Sequence, residues 1–449
     1  MNVRTGRKTS GGAKMVMAAD FEVEQLGIAK VRSPLKNIPF VRDEERTLLT
    51  PTLNTFLEYK DRETLPVSME IAGPRKFIYF DPQKTKAGIV TCGGLCPGIN
   101  AVIRSIVMTA WYGYGVRSIM GFRYGFQGLT RKYHHPPLEL TPERVANIHE
   151  LGGTILGSSR GHQDIGEMTD TLETMGIDIL FCIGGDGTMR GATRIAEEVK
   201  KRGLKISIIG LPKTIDNDIM YIERSFGFET AFTIAASTIS AAHTEAIGAP
   251  NGVGLVKLMG RHSGYIAASA ALALPHVNFV LIPEVPFELE GPKGLLAALE
   301  ERLKRRRHAV IVVAEGAGQD LIIKDSSKVE RDISGNIKLA DIGIFLRDFI
   351  KKHFKKIGME LNLRYIDPSY IIRSVPANAH DSIYCNVLGQ NAVHAAMAGK
   401  TNMLVGRWNN IYTHVPIPVA ISERKVIDPK GTLWGQVLEA TGQPPLVND

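Results

Sequence analysis

The 449-residue sequence carries little cysteine: Cys92, Cys96, Cys182 and Cys385 are the whole complement. Four thiols are too few for a disulfide framework at this length, so they are expected to be reduced and structural, in a cytosol-like compartment. Cys92 and Cys96 lack a second Cys or His pair nearby, which argues against a zinc site. Apolar runs stay short of the eighteen or so residues that a membrane-spanning helix needs. The opening "MNVRTGRKTSGGAKMVMAADFEVE" has basic residues but no apolar stretch, so it does not read as a secretory leader. One-signed charge blocks are scarce too. The net charge is +8, yet both signs are interspersed and no basic surface with interleaved aromatics stands out, which disfavours nucleic acid as a partner. The main basic run, "KRRR" at 304–307, reads as a solvated helix end, with an anion site for phosphorylated ligands as the alternative.

What is present suits a globular protein of two or three domains: 44% hydrophobic residues and 45 glycines. Residues 1–85 show weak periodicity and scattered prolines, and read as an extension or accessory domain. From Lys86 apolar strands alternate with helices. "KAGIVT" precedes a helix carrying Ile103, Ile106, Val107 and Ala110 at helical spacing. "RSIMGF" leads to "TPERVANIHE", a helix with Thr141 as N-cap and Pro142 at its first position. "IDILFCIGG" leads to a helix presenting Ala192, Ile195, Ala196 and Val199. "LKISIIG", "GVGLVKLMG", "NFVLIPE" and "HAVIVVAEG" continue the series. Wholly apolar strands alternating with helices imply parallel sheets covered on both faces. The units are too many for one sheet, so the fold class is α/β with two doubly wound, Rossmann-like domains. Residues 317–340 are polar and read as a surface excursion.

In such sheets ligands bind beyond the carboxyl ends of strands. "TCGGLCPG" (91–98) offers glycines and a helix N-terminus to a phosphate, or is simply a tight turn. "GGTILGSSRG" (152–161) brings Arg160, whose planar fork suits phosphate, though a surface arginine is the commoner case. In "IGGDGTMRG" (183–191) Asp186 would repel a triphosphate unless Mg²⁺ intervenes, so it reads as a metal-side ligand, or else as a helix cap, with Thr188 cradling phosphates. "LPKTIDND" (211–218) sets Asp216 and Asp218 two apart, on one side of the chain if the segment is extended. Asp216 can take a proton from a sugar hydroxyl, Lys213 and Thr214 can hold a phosphoryl group in transfer, and Asn217 can fix the loop. The plain reading is an Asx-rich turn. Arg261, Glu284 and the cluster Arg364, Tyr370 and Arg373 also follow strands, and make a second cradle for a substrate phosphate and its sugar.

These motifs, in this order, resemble the 6-phosphofructokinase family: "GGLCPGIN", "GGTILGSSR", "GGDGT", "PKTIDND", "VKLMGR", "PE" and "YIDPSYIIR". "GGDGT" alone also resembles NAD kinases and diacylglycerol kinases; "PKTIDND" with "KLMGR" decides. The resemblance covers the chain from about residue 86 and implies the phosphofructokinase fold, with a nucleotide-binding domain at 86–227 plus 374–422 and a fructose 6-phosphate domain at 228–373 plus 423–449. It implies phosphorylation of D-fructose 6-phosphate at the 1-hydroxyl by Mg-ATP, a step of glycolysis. Asp216 falls at the general base and Asp186 at the Mg²⁺-associated aspartate. Gly94, Gly185, Gly187, Thr188 and Gly191 fall at nucleotide contacts. Arg160 falls at the arginine bridging the phosphates, with Arg261, Lys213 and Thr214 beside the transfer. Thr214, Asp216, Asp218, Met259, Gly260, Arg261, Glu284, Arg364, Tyr370 and Arg373 fall where the sugar phosphate is held. Arg364 corresponds to an arginine lent by a neighbouring subunit, which implies a homotetramer or homodimer with shared sites. Gly187 followed by Lys213 resembles the long ATP-dependent branch of plants and parasitic protists; pyrophosphate-dependent members carry Asp at the first position. Leu95, Gly252 and Arg123 depart from the short bacterial pattern, where Asp, a substrate-binding Arg and a nucleotide-stacking Tyr stand. "KRRRHAV" aligns with a basic effector-phosphate stretch, which implies allosteric control. The expected partners are therefore ATP and fructose 6-phosphate, with Mg²⁺ as cofactor, no nucleic acid and no membrane, in the cytoplasm.

Overall fold

A computed structural model describes residues 17–61, 65–323, 330 and 338–448. The chain divides into two compact units. Unit 1 comprises residues 1–214, 219–226 and 376–423, and unit 2 comprises 215–218, 227–375 and 424–449.

Unit 1 is built on a nine-stranded sheet. Its strands follow the order Arg46–Leu48, Ser68–Ile71, Ile411–Pro416, Met403–Trp408, Ser207–Pro212, Ile179–Gly184, Lys86–Thr91, Ser118–Phe122, Leu138–Glu139. The run from Met403–Trp408 to Ser118–Phe122 is parallel. Every residue of Ile179–Gly184 and Ser207–Pro212 is buried, which is why these strands read as unbroken apolar runs. The remaining strands are antiparallel. Two of them come from residues 17–85, so that stretch extends the sheet of unit 1, while residues 1–16 and 62–64 lie outside the described residues.

The helix Ile99–Met108 buries Ile103, Ile106 and Val107 and runs on through a wider π turn, Thr109–Tyr114, that buries Ala110. Gly98 starts it at φ 96°, and a Cβ there would lie 2.5 Å from the Cys385 sulfur. Both the backbone and the space demand glycine. Thr141 caps its helix through the Arg144 N–H with Pro142 in the first turn, but that helix covers only Pro142–Val145 before a 3₁₀ turn, Ile148–Glu150, takes over. Asp186–Lys201 buries Ala192, Ile195, Ala196 and Val199 against the sheet.

Unit 2 holds a four-stranded, wholly parallel sheet in the order Phe279–Leu281, His308–Ala314, Gly252–Leu258, Asn362–Ile366. Its helices include Phe228–Ile247, Tyr265–Leu272, Leu295–Arg306, Ile342–Lys356 and Thr432–Thr441. The basic run 304–307 closes Leu295–Arg306 and is exposed. Most of the excursion at 317–340 lies outside the described residues, apart from residues 317–323, which include the helix Gln319–Ile322, and residues 330 and 338–340. Among the described residues no helix is long and apolar enough to cross a membrane.

The short segment 215–218 belongs to unit 2 because its backbone is tied there. The Ser263 hydroxyl donates to the Asp216 carbonyl oxygen at 2.7 Å, and the Lys425 N–H donates to that of Asp218 at 3.0 Å.

Candidate active site

The candidate residues of unit 1 gather where its parallel strands end. Lys213 follows Ser207–Pro212, is 5% exposed, and donates from Nζ to the Gly94 carbonyl oxygen at 2.6 Å. Its backbone N–H donates to Gly184 at 2.9 Å, so it also closes the turn that leads into "GGDGT". The Arg160 loop is stitched to the same strand end. The Gly93 N–H donates to the Ser159 carbonyl oxygen at 3.0 Å, Ser158 Oγ donates to that of Gly93 at 2.6 Å, and Thr91 Oγ1 donates to that of Gly157 at 2.7 Å. Ser159 Oγ adds a bond to the Tyr124 carbonyl at 2.6 Å. Arg160 itself is exposed at the end of this loop. Thr214 closes the unit, its carbonyl oxygen accepting from Ser225 Oγ.

Asp186 opens the helix Asp186–Lys201, with Gly185 as its N-cap. It does not cap the helix. Its carboxylate faces along it to Arg190 Nε at 3.1 Å. Thr188 is buried, its hydroxyl bonded to the Cys92 thiol and its N–H to the Gly185 carbonyl. Burial pushes the Cys92 thiol up to about 12, which leaves it inert. The two later glycines differ in kind. A Cβ on Gly191 would stand 2.6 Å from the Phe126 ring, whereas one on Gly187 would meet nothing within 4 Å. Packing explains Gly191; at Gly187 nothing in the protein requires the absence of a side chain.

In unit 2 the segment holding both aspartates is not extended. The chain turns at Ile215–Asp216, and Asn217 sits in the left-handed region at φ 53°, which asparagine tolerates better than most residues. The alternation argument for Asp216 and Asp218 therefore fails, although the two charges still oppose each other. Burial raises the Asp216 pKa to about 8, with Asp218 and Glu315 adding to the rise and the Arg261 backbone N–H and the Arg424 charge resisting it. Arg424 lies 3.5 Å from the Asp218 carboxylate.

The other strand ends gather around this turn. Met259, Gly260 and Arg261 follow Gly252–Leu258, and Gly260 holds the next strand end through the Gly316 N–H at 3.1 Å. Glu315 follows His308–Ala314 among the charges of Arg261, Lys257 and Arg373, and burial raises its pKa. Lys257 reaches both Asp341 and Asp367 at 2.9 Å. Tyr370 is exposed, with the Arg373 guanidinium 5.1 Å from its ring centroid. Glu284 accepts the Gly264 and Ile427 N–H groups on Oε1, each at 2.9 Å, while Oε2 is buried without a hydrogen-bond partner. Arg364 is exposed on Asn362–Ile366, the edge strand of the sheet. Gly252 begins its strand, and a Cβ there would lie 2.0 Å from the Ala246 carbonyl oxygen, so no side chain fits. Sequence reasoning did not name Glu315, Lys257 or Ser263. For Glu315 the signal was available, since it ends "VVAE" just as Glu284 ends "LIPE".

The family model described as phosphofructokinase matches residues 86–396. A Borreliella burgdorferi protein named ATP-dependent 6-phosphofructokinase is 50% identical over 437 residues, 95% of this chain and 97% of its own length. The chain belongs to the phosphofructokinase family. A Trypanosoma cruzi protein with the same name as the Borreliella one is 48% identical over 379 residues, 84% of this phosphofructokinase and 77% of its own length. The fold recurs in the solved pyrophosphate-dependent phosphofructokinase of Marinobacter aquaeolei, with a TM-score of 0.64 at 20% identity over 80% of this chain and 92% of that one.

Proposed function

We propose that this phosphofructokinase transfers the γ-phosphoryl group of ATP to the 1-hydroxyl of D-fructose 6-phosphate, releasing ADP and fructose 1,6-bisphosphate, as a cytoplasmic enzyme of glycolysis. The observation that carries the reading is the Asp216 turn: a carboxyl whose pKa is raised to about 8, held by the Arg261 N–H, three residues along the chain from a buried lysine. A raised carboxylate is a stronger base than a free one and is tuned toward neutral pH.

Asp216 takes the proton of the 1-hydroxyl as its oxygen bonds to phosphorus and the bond to the ADP oxygen breaks. Lys213 and Thr214 steady the group in transfer, and Arg160 and Arg261 offset its charge. Met259, Gly260, Tyr370 and Arg373 hold the sugar phosphate, while Glu284 Oε2, Glu315 and Asp218 accept from its hydroxyls. Arg364, exposed on its edge strand, serves a neighbouring subunit's site in a homotetramer. Gly94, Gly185, Gly187 and the first turn at Thr188 receive the nucleotide. Asp186 is the carboxylate that would hold Mg²⁺. A single carboxylate fits that ion, which takes most of its remaining ligands from phosphates and water, and no cluster of three metal-ligating side chains occurs among the described residues. Bound there, the ion would neutralise phosphate charge.

ATP is favoured as donor by Gly187, whose side-chain position is open space that the protein leaves unfilled. Together with Lys213 it supports placement in the long ATP-dependent branch. Purified protein assayed separately with ATP and with pyrophosphate tests the donor, and turnover with pyrophosphate alone would replace this reading. Asp216→Ser should lower kcat by about 10²–10⁴-fold and change the sugar KM far less; an unchanged kcat removes Asp216 as the base.

A further inference from the structure

Unit 2 contains an apolar pocket of about 210 Å³ that is partly open to solvent. Val280 and Leu281 form one side, Val285 and Phe287 another, and Trp434 and Leu438 a third. The C-terminal stretch "QPPLV", 443–447, completes the wall. Gln443 is the one side chain of the lining with hydrogen-bonding capacity beyond the indole, and its Oε1 is already taken by the Val280 N–H at 2.6 Å. The C-terminal wall is anchored on the rest of unit 2. The Glu288 N–H holds the Leu446 carbonyl at 2.7 Å, the Lys293 N–H holds Asn448 at 3.1 Å, and Pro444 and Pro445 fix the backbone between the anchors. An unfilled apolar pocket lacks dispersion contacts that a matching apolar molecule would restore. An enclosed engineered cavity of about 150 Å³ lined by Leu, Ile and Phe binds benzene, and this pocket, although partly open, presents the same kind of apolar wall. Sugar phosphates and nucleotides do not fit, since no charged side chain lines the space.

The cavity is also connected to the acceptor half of the site. Val285 directly follows Glu284, and the Ile427 N–H that Glu284 binds lies on the segment leading into the Trp434 helix, Thr432–Thr441. The same Oε1 accepts from the Gly264 N–H, next to Ser263, which holds the Asp216 carbonyl. One lining residue, Val285, is thus the chain neighbour of Glu284, and another, Trp434, follows seven positions after the Ile427 N–H that Glu284 binds.

We infer that this cavity is a binding site for an uncharged aromatic molecule of one or two rings, and that its occupancy alters the handling of the sugar phosphate through Glu284. The second half rests on the function proposed above. The test uses the full chain and fluorobenzene as probe, followed by ¹⁹F NMR. Saturable binding is expected with a Kd of about 0.1–1 mM. It should be lost in Leu438→Phe and in Val447→Phe, each of which fills the space, with thermal unfolding confirming that both variants fold. Trp434 emission should shift on binding, and the shift should vanish in Trp434→Phe. No saturation up to about 10 mM, about ten times the weakest expected Kd, or binding that survives both filled variants, overturns the site. In the active enzyme, saturating probe should change the KM for fructose 6-phosphate at least about twofold and leave that for ATP alone, the mark of a coupling free energy between two sites. Binding with both constants unmoved overturns the coupling. An enzyme inactive with either donor would sink the proposed function while the binding result stood.

Discussion

Asp216 sets two pH dependences of opposite sense. As a base it works deprotonated, so kcat/KM for the sugar phosphate should rise with pH toward a pKa near 8 in the free enzyme. A pH–rate profile flat from 6 to 9 would remove it from that role. The same shift acts on stability. The folded-state pKa stands above the unfolded one of 3.8, so the folded state binds the proton more tightly. The resulting stability is fully present below the unfolded value and is lost as pH rises through about 8. Asp216→Asn should therefore match the natural protein at acid pH and melt higher at alkaline pH. Solvent at the half-buried carboxyl trims the effect, and a gain of about 2–4 °C in Tm corresponds to about 1 kcal/mol in a domain of this size. Thermal scans at several pH values check it. A variant less stable at alkaline pH would mean that the carboxylate is a structural asset rather than a strained functional group.

At the scale of elements, the helix Asp186–Lys201 allows packing to be separated from the nucleotide binding proposed for its first turn. Gly191→Ala drives a Cβ toward the Phe126 ring at 2.6 Å and should cost about 1–3 kcal/mol of stability, read as a lower unfolding midpoint in urea. Gly187→Asp enters open space and should leave that midpoint nearly unchanged. It should nevertheless raise the KM for ATP more than about tenfold, because a second carboxylate then faces the triphosphate. Equal effects on stability would dissolve the distinction. This helix also shows what the sequence could reveal. Its apolar face was legible from spacing alone, as were the buried strands, because burial on both faces leaves an unbroken apolar run. The packing demand at Gly191 was not legible, because Phe126, sixty-five positions earlier, is a neighbour only in three dimensions. The turn at 215–217 was within reach of the sequence as the Asx-rich reading, and the extended alternative is the one that fails. Aspartate and asparagine announce a reversal, but the bonds that hold it come from Ser263, Arg261 and Lys425, far along the chain and invisible in the local sequence. Glu315 was missed differently: the strand-end rule that singled out Glu284 applied equally to it.

At the scale of the whole molecule, chain segments more than three hundred residues apart are fastened by one buried charge network in unit 1. Glu70 accepts from Arg75 at 2.8 Å, from His414 Nδ1 at 2.9 Å and from Lys400 Nζ at 3.1 Å, all of them buried. Burial alone would raise the Glu70 pKa; the His414 hydrogen bond and the charges of Lys400 and Arg75 outweigh it and hold it at about 2. Glu70 also sits on Ser68–Ile71, in register with His414, so the network locks the stretch that reads as an accessory segment into the sheet of unit 1. Weak periodicity hid this, because two short strands added to an existing sheet need little apolar pattern of their own. Glu70→Gln keeps the shape and removes the charge, leaving buried Arg75 and Lys400 with only the exposed Asp43 carboxylate, at 2.8 and 3.6 Å, as an acid partner. The expected cost is about 3–5 kcal/mol at neutral pH. Because the folded-state pKa is depressed, the stabilisation is present above the unfolded value of 4.5 and is lost as pH falls through about 2. The variant and the natural protein should therefore differ most near neutrality and converge in acid. Urea unfolding at pH 7 and again below pH 3 measures the gap, and a gap that stays constant across that range would show that Glu70 acts through shape rather than charge.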